Sequence, residues 1–412
     1  MEISWKNLIH FKWFKRLYFL YIFGFVVSLR PTIPFHYEFL LANENFSEND
    51  VKEDILPVWF YSTAVQLLPV YLLMEYFKFN PFIIISSLTG LLATCLFIWT
   101  ETWAEVQVAQ AFYGSMSAAE VAYFVSIYCH GDEKNFQRLT SYVRAAPLLG
   151  RIIASLLAQL LVSQNWFSYK ELHYFNLAAF IFSIIVTILL PPIYEKLEKP
   201  QPASNLSSIL TNLKSAYPNK YVVKWSLWSI LTVCGYTQIS VYVQPLWKIL
   251  QKKSDISPFN GFLEGIYAIF ALLGTICGGH ARFDWKYTGD LILSMTSLVE
   301  AFMLLFMSQI EEIVLNCIFY VILGFLYHFI MTIVCGEIAK FVQKGCFGLV
   351  FGFIALMASI LSSVIVCLLN DKIGLRLDTQ YLFMVYGYYH LSVSVLFIII
   401  GLSYWFAKHT YQ

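Results

Sequence analysis

A carboxylate set far from either end of a long apolar run is the group in this sequence best placed to do chemistry. Glu120 lies within Ser117-Ala118-Ala119-Glu120-Val121-Ala122-Tyr123-Phe124. At helical spacing Tyr113, Ser117, Glu120, Tyr123 or Phe124, and Tyr128 share roughly one face. An acid flanked by aromatic rings suits an organic cation, because the carboxylate supplies charge and each ring face adds about 0.5–2 kcal/mol. The bland alternative is that Glu120 pairs with Arg144 or Arg151 of the next run and only holds helices together. Further ionisable groups in apolar surroundings are Arg30, Glu38, Glu264, Glu300 and Glu337. A charge at bilayer depth costs about 2.5–3.5 kcal/mol on insertion scales, so each is a candidate for function, gating or charge pairing. Trp59, in Pro57-Val58-Trp59-Phe60-Tyr61, is either an interfacial anchor or a stacking surface. Gln238, Tyr242 and Gln244 add neutral hydrogen-bonding groups that a lipid-facing helix would avoid.

The elements that position these residues follow from composition. The chain has 412 residues, 58% hydrophobic and 13% charged, about half the charge of a soluble domain. Its 27 Lys and Arg against 26 Asp and Glu leave no basic field for nucleic acid. A crossing takes about 20 apolar residues. Apolar runs fall near 17–40, 57–77, 81–100, 104–129, 139–163, 171–192, 221–249, 259–280, 288–309, 312–340, 346–370 and 379–407. These predict an all-α membrane protein of twelve transmembrane helices in a lipid bilayer. The first run follows Lys6, Lys12, Lys15 and Arg16 like a signal sequence, but it is longer than an apolar signal core and ends without a small-residue cleavage site, so it stays as the first helix. Lys and Arg concentrate in the loops that are inside if both termini are cytoplasmic, which sets the orientation.

The segment after the first run carries Glu44, Glu48, Asp50, Glu53 and Asp54 against Lys52 and is expected outside. It holds the sequon Asn45-Phe46-Ser47, a candidate glycosylation site, whereas the sequon at Asn205 falls inside and is expected inert. The stretch from Pro191-Pro192 to Lys224, rich in Pro, Ser, Asn and Lys, divides the chain into a six-helix half over 1–192, a cytoplasmic linker over 193–220 and a second half over 221–412. That is the layout of major facilitator carriers, whose substrate sits at mid-membrane between halves that rock against each other. Arg30-Pro31-Thr32-Ile33-Pro34 breaks the first helix, and the freed carbonyls must face protein or a watery cavity. The eight cysteines are scattered without a Cys-x-x-Cys pair, and no Walker A motif, metal cluster or catalytic triad is present. No cofactor, metal or enzyme chemistry is expected.

Several of these stretches, taken together, resemble the reduced folate carrier family, which includes the thiamine transporters. They are Arg30-Pro31 through Phe35, Pro57-Val58-Trp59 with Tyr61-Ser62, Ala118-Ala119-Glu120-Val121-Ala122-Tyr123, Phe136-Gln137-Arg138 with Tyr142 and Arg144, and Ala158-Gln159-Leu160-Leu161-Val162. The second half adds Cys234-Gly235-Tyr236 with Gln238, Tyr242-Val243-Gln244, Leu246-Trp247, Asn260-Gly261, Glu264 and Leu349-Val350-Phe351-Gly352. The similarity spans about residues 17–402. It implies a plasma-membrane vitamin carrier of major facilitator fold, with Trp59 and Tyr123 at aromatic positions of a thiamine site. The helix 4 motif resembles the thiamine branch, since the folate carrier has a basic residue in place of Glu120. The folate carrier's basic residues in helices 10 and 11 correspond to about Gly324 and Leu361. Two departures stand out: Ile33 and Gln110 occupy positions where the family carries acids. Arg151 is an additional mid-span cation that could neutralise Glu120 or receive a substrate anion.

The resulting expectation is thiamine uptake by alternating access, with Glu120, Tyr123, Trp59, Tyr61, Tyr113, Gln238 and Tyr242 at the substrate and Arg30, Arg144, Arg151 and Glu337 in gating or charge pairing. Reduced folate or another organic anion is the alternative within the family, and a vitamin receptor that does not transport is the alternative of another class. Protons or a counter-transported anion are candidate coupling partners.

Overall fold

The computed structural model describes residues 5–42, 46–99, 102–129, 133–191, 217, 220–343, 345–370 and 374–410. Twelve long helices account for nearly all of them. The first six are α1 (Trp5–Val27), α2 (Leu56–Phe77), α3 (Asn80–Trp99), α4 (Trp103–Val125), α5 (Phe136–Ser163) and α6 (Leu172–Ile188). The second six are α7 (Lys220–Ser254), α8 (Asn260–His280), α9 (Trp285–Gln309), α10 (Ile313–Phe341), α11 (Phe347–Leu369) and α12 (Thr379–Thr410). Most ends fall within a few residues of the apolar runs. The linker apart from Tyr217 and Lys220, with Asn205, and the glycosylation candidate Asn45 lie outside the described residues.

The first helix differs most from expectation. It begins at Trp5, well before the apolar run, and stops at Val27, because Pro31 and Pro34 cannot donate to a continuing ladder. The chain then makes a 3₁₀ turn over Ile33–Phe35 and a short helix over His36–Leu41. Asn176 of α6 pins the break by donating to the Thr32 hydroxyl at 2.6 Å. A wider π turn, Val51–Ile55, leads into α2 ahead of Pro57.

Among the described residues, eight helices are long and apolar enough to cross a membrane, while α1 and α6 contribute shorter apolar segments. The two others, α4 and α7, fall short for a physical reason. They carry Gln110, Ser117 and Glu120, and Gln238, Ser240 and Gln244, within spans that would otherwise be apolar. Their polar faces turn inward, whereas Ile181, Phe182, Leu291, Phe302 and Ile399 lie exposed on the outside, where lipid would cover them.

Within the first half α3 packs on α4 and α6, and α1 packs on α5 and α6. Within the second, α9 packs on α12, α8 on α10, and α7 on α11 and α12. The halves meet along two seams, α5 on α8 and α2 on α11. Buried side chains form two main clusters. One is built around Phe23, Tyr123, Phe136, Trp225 and Phe347 at the end carrying the termini. The other surrounds Phe60, Tyr242, Trp247 and Tyr320 at the end carrying the 46–55 segment.

Close helix approach depends on glycine where α8 meets α10, since a Cβ on Gly274 would collide with the backbone carbonyl of Phe325. Backbone cannot rotate away as a side chain can. Gly274→Val is therefore expected to cost about 1–3 kcal/mol of overpacking strain, read as a lower melting temperature in detergent and a reduced surface level.

Candidate functional site

A cavity of about 270 Å³ opens between α1, α2, α4 and α7. The broken first helix contributes Arg30, Thr32, Ile33, His36 and Tyr37, and α2 contributes Leu56 and Trp59. From α4 come Gln110, Tyr113, Met116, Ser117 and Glu120, at the three- and four-residue spacing of one helix face. Ser240, Val241 and Gln244 of α7 close the wall from the second half.

Most polar groups on this wall are already engaged. The Trp59 indole N–H donates to Ser117 Oγ at 3.1 Å, and Ser117 Oγ itself donates to the Tyr113 carbonyl at 3.1 Å. Gln244 bridges the broken helix, donating to the Ile33 carbonyl at 2.7 Å and accepting from the Tyr37 N–H at 3.1 Å. His36 and Gln110 pair through their Nε2 atoms at 2.9 Å, and the His36 ring stands edge-on to Phe97 and Tyr113. Glu120 differs from all of these. It forms no ion pair among the described residues, and the charge that acts on it is the Arg30 guanidinium. Among the described residues Arg30 itself reaches the Met116 sulfur, at 3.6 Å. The cavity therefore presents one carboxylate and one guanidinium to whatever enters, framed by the rings of Trp59, Tyr113 and Tyr37.

The pairing of Glu120 with Arg144 or Arg151, left open by the sequence, is not made. Arg151 crosses to the other half, bonding Glu264 at 2.5 Å and lying 5.0 Å from the Tyr267 ring centre. Arg144 lies 6.0 Å from the Phe124 ring centre, beside Tyr128 and Tyr327. Several of the residues expected at the substrate point elsewhere. Tyr123 is fully buried, its hydroxyl donating to the Val143 carbonyl at 2.9 Å and its ring against Phe23. Gln238 donates to the Ser362 carbonyl at 2.9 Å and accepts from Tyr386. Tyr242 stacks on Phe60 and points its hydroxyl at the Lys52 carbonyl. Tyr61 packs into the second buried cluster and is absent from the cavity wall. Glu337 bonds Lys340 and Tyr221, both in the second half, and so bridges no seam.

His36 was not singled out from the sequence, nor were Tyr37, Thr32 and Ser240. The signal available was the double-proline break, which turns the residues after it onto a different face from the one that a continuous helix would present.

The sequence matches the reduced folate carrier family over residues 11–198 and 195–385. The chain belongs to the reduced folate carrier family. Among its relatives, folate-like transporter 3 of Caenorhabditis elegans is 32% identical, covering 92% of this chain and 94% of that protein. Human thiamine transporter 2 is 27% identical, covering 94% and 89%. The solved structure of the human organic anion transporter MFSD10 superposes with a TM-score of 0.69 at 11% identity, over 94% of this chain and 98% of that one. The fold is thus the major facilitator fold of two six-helix halves. The protein is a multi-pass membrane carrier and not an enzyme.

The carrier's cross-half ion pair yields a direct test. Glu264→Gln leaves the Arg151 guanidinium without its counter-charge and is expected to destabilise the fold by about 3–5 kcal/mol, while replacing both with apolar residues of similar volume recovers most of the loss. Thermal unfolding of the single and double variants in detergent measures this.

Proposed function

We propose that this carrier moves thiamine across the plasma membrane by alternating access, with both termini cytoplasmic. The observation that carries the reading is Glu120: a carboxylate without an ion pair, facing a cavity framed by Trp59 and Tyr113. A thiazolium cation supplies the missing counter-charge, and its two rings suit the aromatic walls. The lining residues come from α1, α2, α4 and α7, so the helix 10 and 11 positions where the folate carrier is basic add no cation to this cavity. Gly324 instead packs against the Tyr267 ring. Relatives named as thiamine transporters support the same assignment.

One observation favours a second reading. Arg30 lines the same cavity, and the folate-like transporters of Caenorhabditis elegans are relatives too. A reduced folate would set a carboxylate on Arg30, with Glu120 left unpaired or protonated. Ile33 and Gln110 bear on both readings, since neither residue adds a negative charge to the wall.

Uptake of radiolabelled thiamine and of a reduced folate, measured side by side in cells expressing the carrier, separates them. Thiamine is expected to accumulate, and preloaded vesicles are expected to exchange it, which a receptor would not do. Glu120→Gln should weaken thiamine uptake about 10- to 100-fold, the value of a hydrogen bond to a charged group, at unchanged surface level. Thiamine uptake that survives that substitution, or folate accumulation alone, would replace the assignment.

A further inference from the structure

Neither residue flanking helix α8 caps it with a side chain. Its N-cap position is Phe259 and its C-cap position is Ala281, and neither side chain can accept or donate. Buried helix ends need partners for their free N–H and C=O groups. The Phe259 carbonyl takes the Phe262 and Leu263 N–H groups and the Ala281 N–H bonds the Cys277 carbonyl, and each end gains a further partner from α5, across the seam between the halves. Gln159 Oε1 accepts from the N–H groups of Gly261 at 3.0 Å and Phe262 at 3.3 Å, and its Nε2 donates to the Pro258 carbonyl at 3.4 Å. At the opposite end Gln137 Nε2 donates to the carbonyls of Gly278 at 2.6 Å and Ala281 at 2.9 Å. Between the caps lie the Ser141 hydroxyl on the Thr275 carbonyl at 2.9 Å and the Arg151–Glu264 pair. The spacing of the two glutamines on α5 matches the length of α8, so one helix of the first half holds both ends of one helix of the second. Glycine makes the reach possible, since a Cβ at Gly261 would strike Gln159 and the Ser155 carbonyl.

We propose that Gln159 and Gln137 are positioning residues that set which end of the carrier is open, each latching one end of α8 and thereby one end of the α5–α8 seam. The proposal rests on the alternating-access reading above. With both caps made, the seam is closed at both ends. Opening toward the 46–55 segment, the outer side in the proposed orientation, must release Gly261 and Phe262 from Gln159. Opening toward the termini must release Gly278 and Ala281 from Gln137. The caps use opposite chemistry: Gln159 acts on the N–H groups as an acceptor, and Gln137 acts only as a donor. The same substitution at the two sites therefore has opposite consequences. Gln159→Glu keeps the acceptor, gives up only the long bond to the Pro258 carbonyl and adds a charge favoured at a helix N-terminus, whereas Gln137→Glu removes both donor contacts and sets a negative charge against a helix C-terminus.

The test is labelling of the full-length carrier in intact cells. A Ser240→Cys probe in the cavity wall is treated with a charged, membrane-impermeant methanethiosulfonate, and label taken by the same chain without the probe is subtracted. Gln159→Leu is expected to raise the outside labelling rate about 5- to 30-fold, the equilibrium shift of one or two hydrogen bonds, and Gln137→Leu to lower it. Gln159→Glu is expected to label as the parent does, and Gln137→Glu to behave as Gln137→Leu. Equal shifts from both leucine variants, or no shift from either, would overturn the latch. Should the leucine variants fail to reach the surface, the glutamate pair decides: a lowered rate for Gln137→Glu alone supports the latch, and like behaviour of the two overturns it. The labelling needs no substrate, so a failure of thiamine exchange would strike the substrate assignment and leave the latch to be judged by accessibility.

Discussion

An ionised carboxylate held in a membrane interior costs about 2.5–3.5 kcal/mol, and the architecture around Glu120 follows from offsetting that cost without neutralising the acid. A direct ion pair would satisfy Glu120, and none is made among the described residues. What surrounds it instead is the Arg30 guanidinium, acting through its field, and a wall of groups that are mostly hydrogen-bonded to one another. Placing Arg30 there requires the first helix to stop, because its backbone and side chain leave the ladder together at the Pro31–Pro34 break. The break in turn frees backbone groups that Gln244 of α7 satisfies from the other half. The two long helices whose sequences fall short of an apolar span, α4 and α7, thus both line the cavity.

That coupling explains which parts of the structure the sequence makes legible. Long apolar runs mark the helices because lipid tolerates little else, and Glu120 stands out as a lone acid deep within one of them. Which neighbours share its cavity is harder to read. Tyr123 is three residues from Glu120, about 60° around a helix of 3.6 residues per turn, and that angle is enough to turn it onto the Val143 carbonyl of α5. Gln238 and Tyr242 are polar and lie inward, yet Gln238 finds its partner in α11 and Tyr242 in the π turn before α2. Polar character tells that a side chain needs a partner, and only the packing tells whether that partner is protein or substrate. His36 was invisible for the complementary reason: its face is set by a 3₁₀ turn whose phase no helical periodicity predicts. Arg151 finds Glu264 across 113 positions of sequence, a distance over which no local pattern carries information.

The contacts between halves divide by chemistry. Near the 46–55 segment, acids of the first half meet bases of the second: Glu38 bonds Lys248 at 2.6 Å, Glu53 lies 3.7 Å from Arg376, and Glu48 bonds Lys252. Glu48 and Lys252 are largely exposed, where water can replace a partner and the pair contributes little net stability. At the end carrying the termini the contacts are an amide on two carbonyls and a stack of rings, with Tyr128 and Phe351 centred 5.1 Å apart. The amide and ring contacts and the exposed Glu48–Lys252 pair can be exchanged for water at modest cost, whereas the largely buried Glu38–Lys248 pair cannot.

Arg151 and Glu264, buried to a similar degree as Lys248 and Glu38, are likewise expensive to separate. Their place along the seam differs. At 1.5 Å of rise per residue, Arg151 lies about 12 Å from Gln159 and about 21 Å from Gln137 along α5, so it sits between the two caps. When two halves rock about an axis through their contact, displacement grows with distance from that axis. Groups near it slide little while the ends part. In the proposed alternating-access cycle an ion pair placed between the caps can stay intact as either one opens, and serves as the pivot of the seam. The neutral amides, each giving up only one or two hydrogen bonds, occupy the ends that must let go.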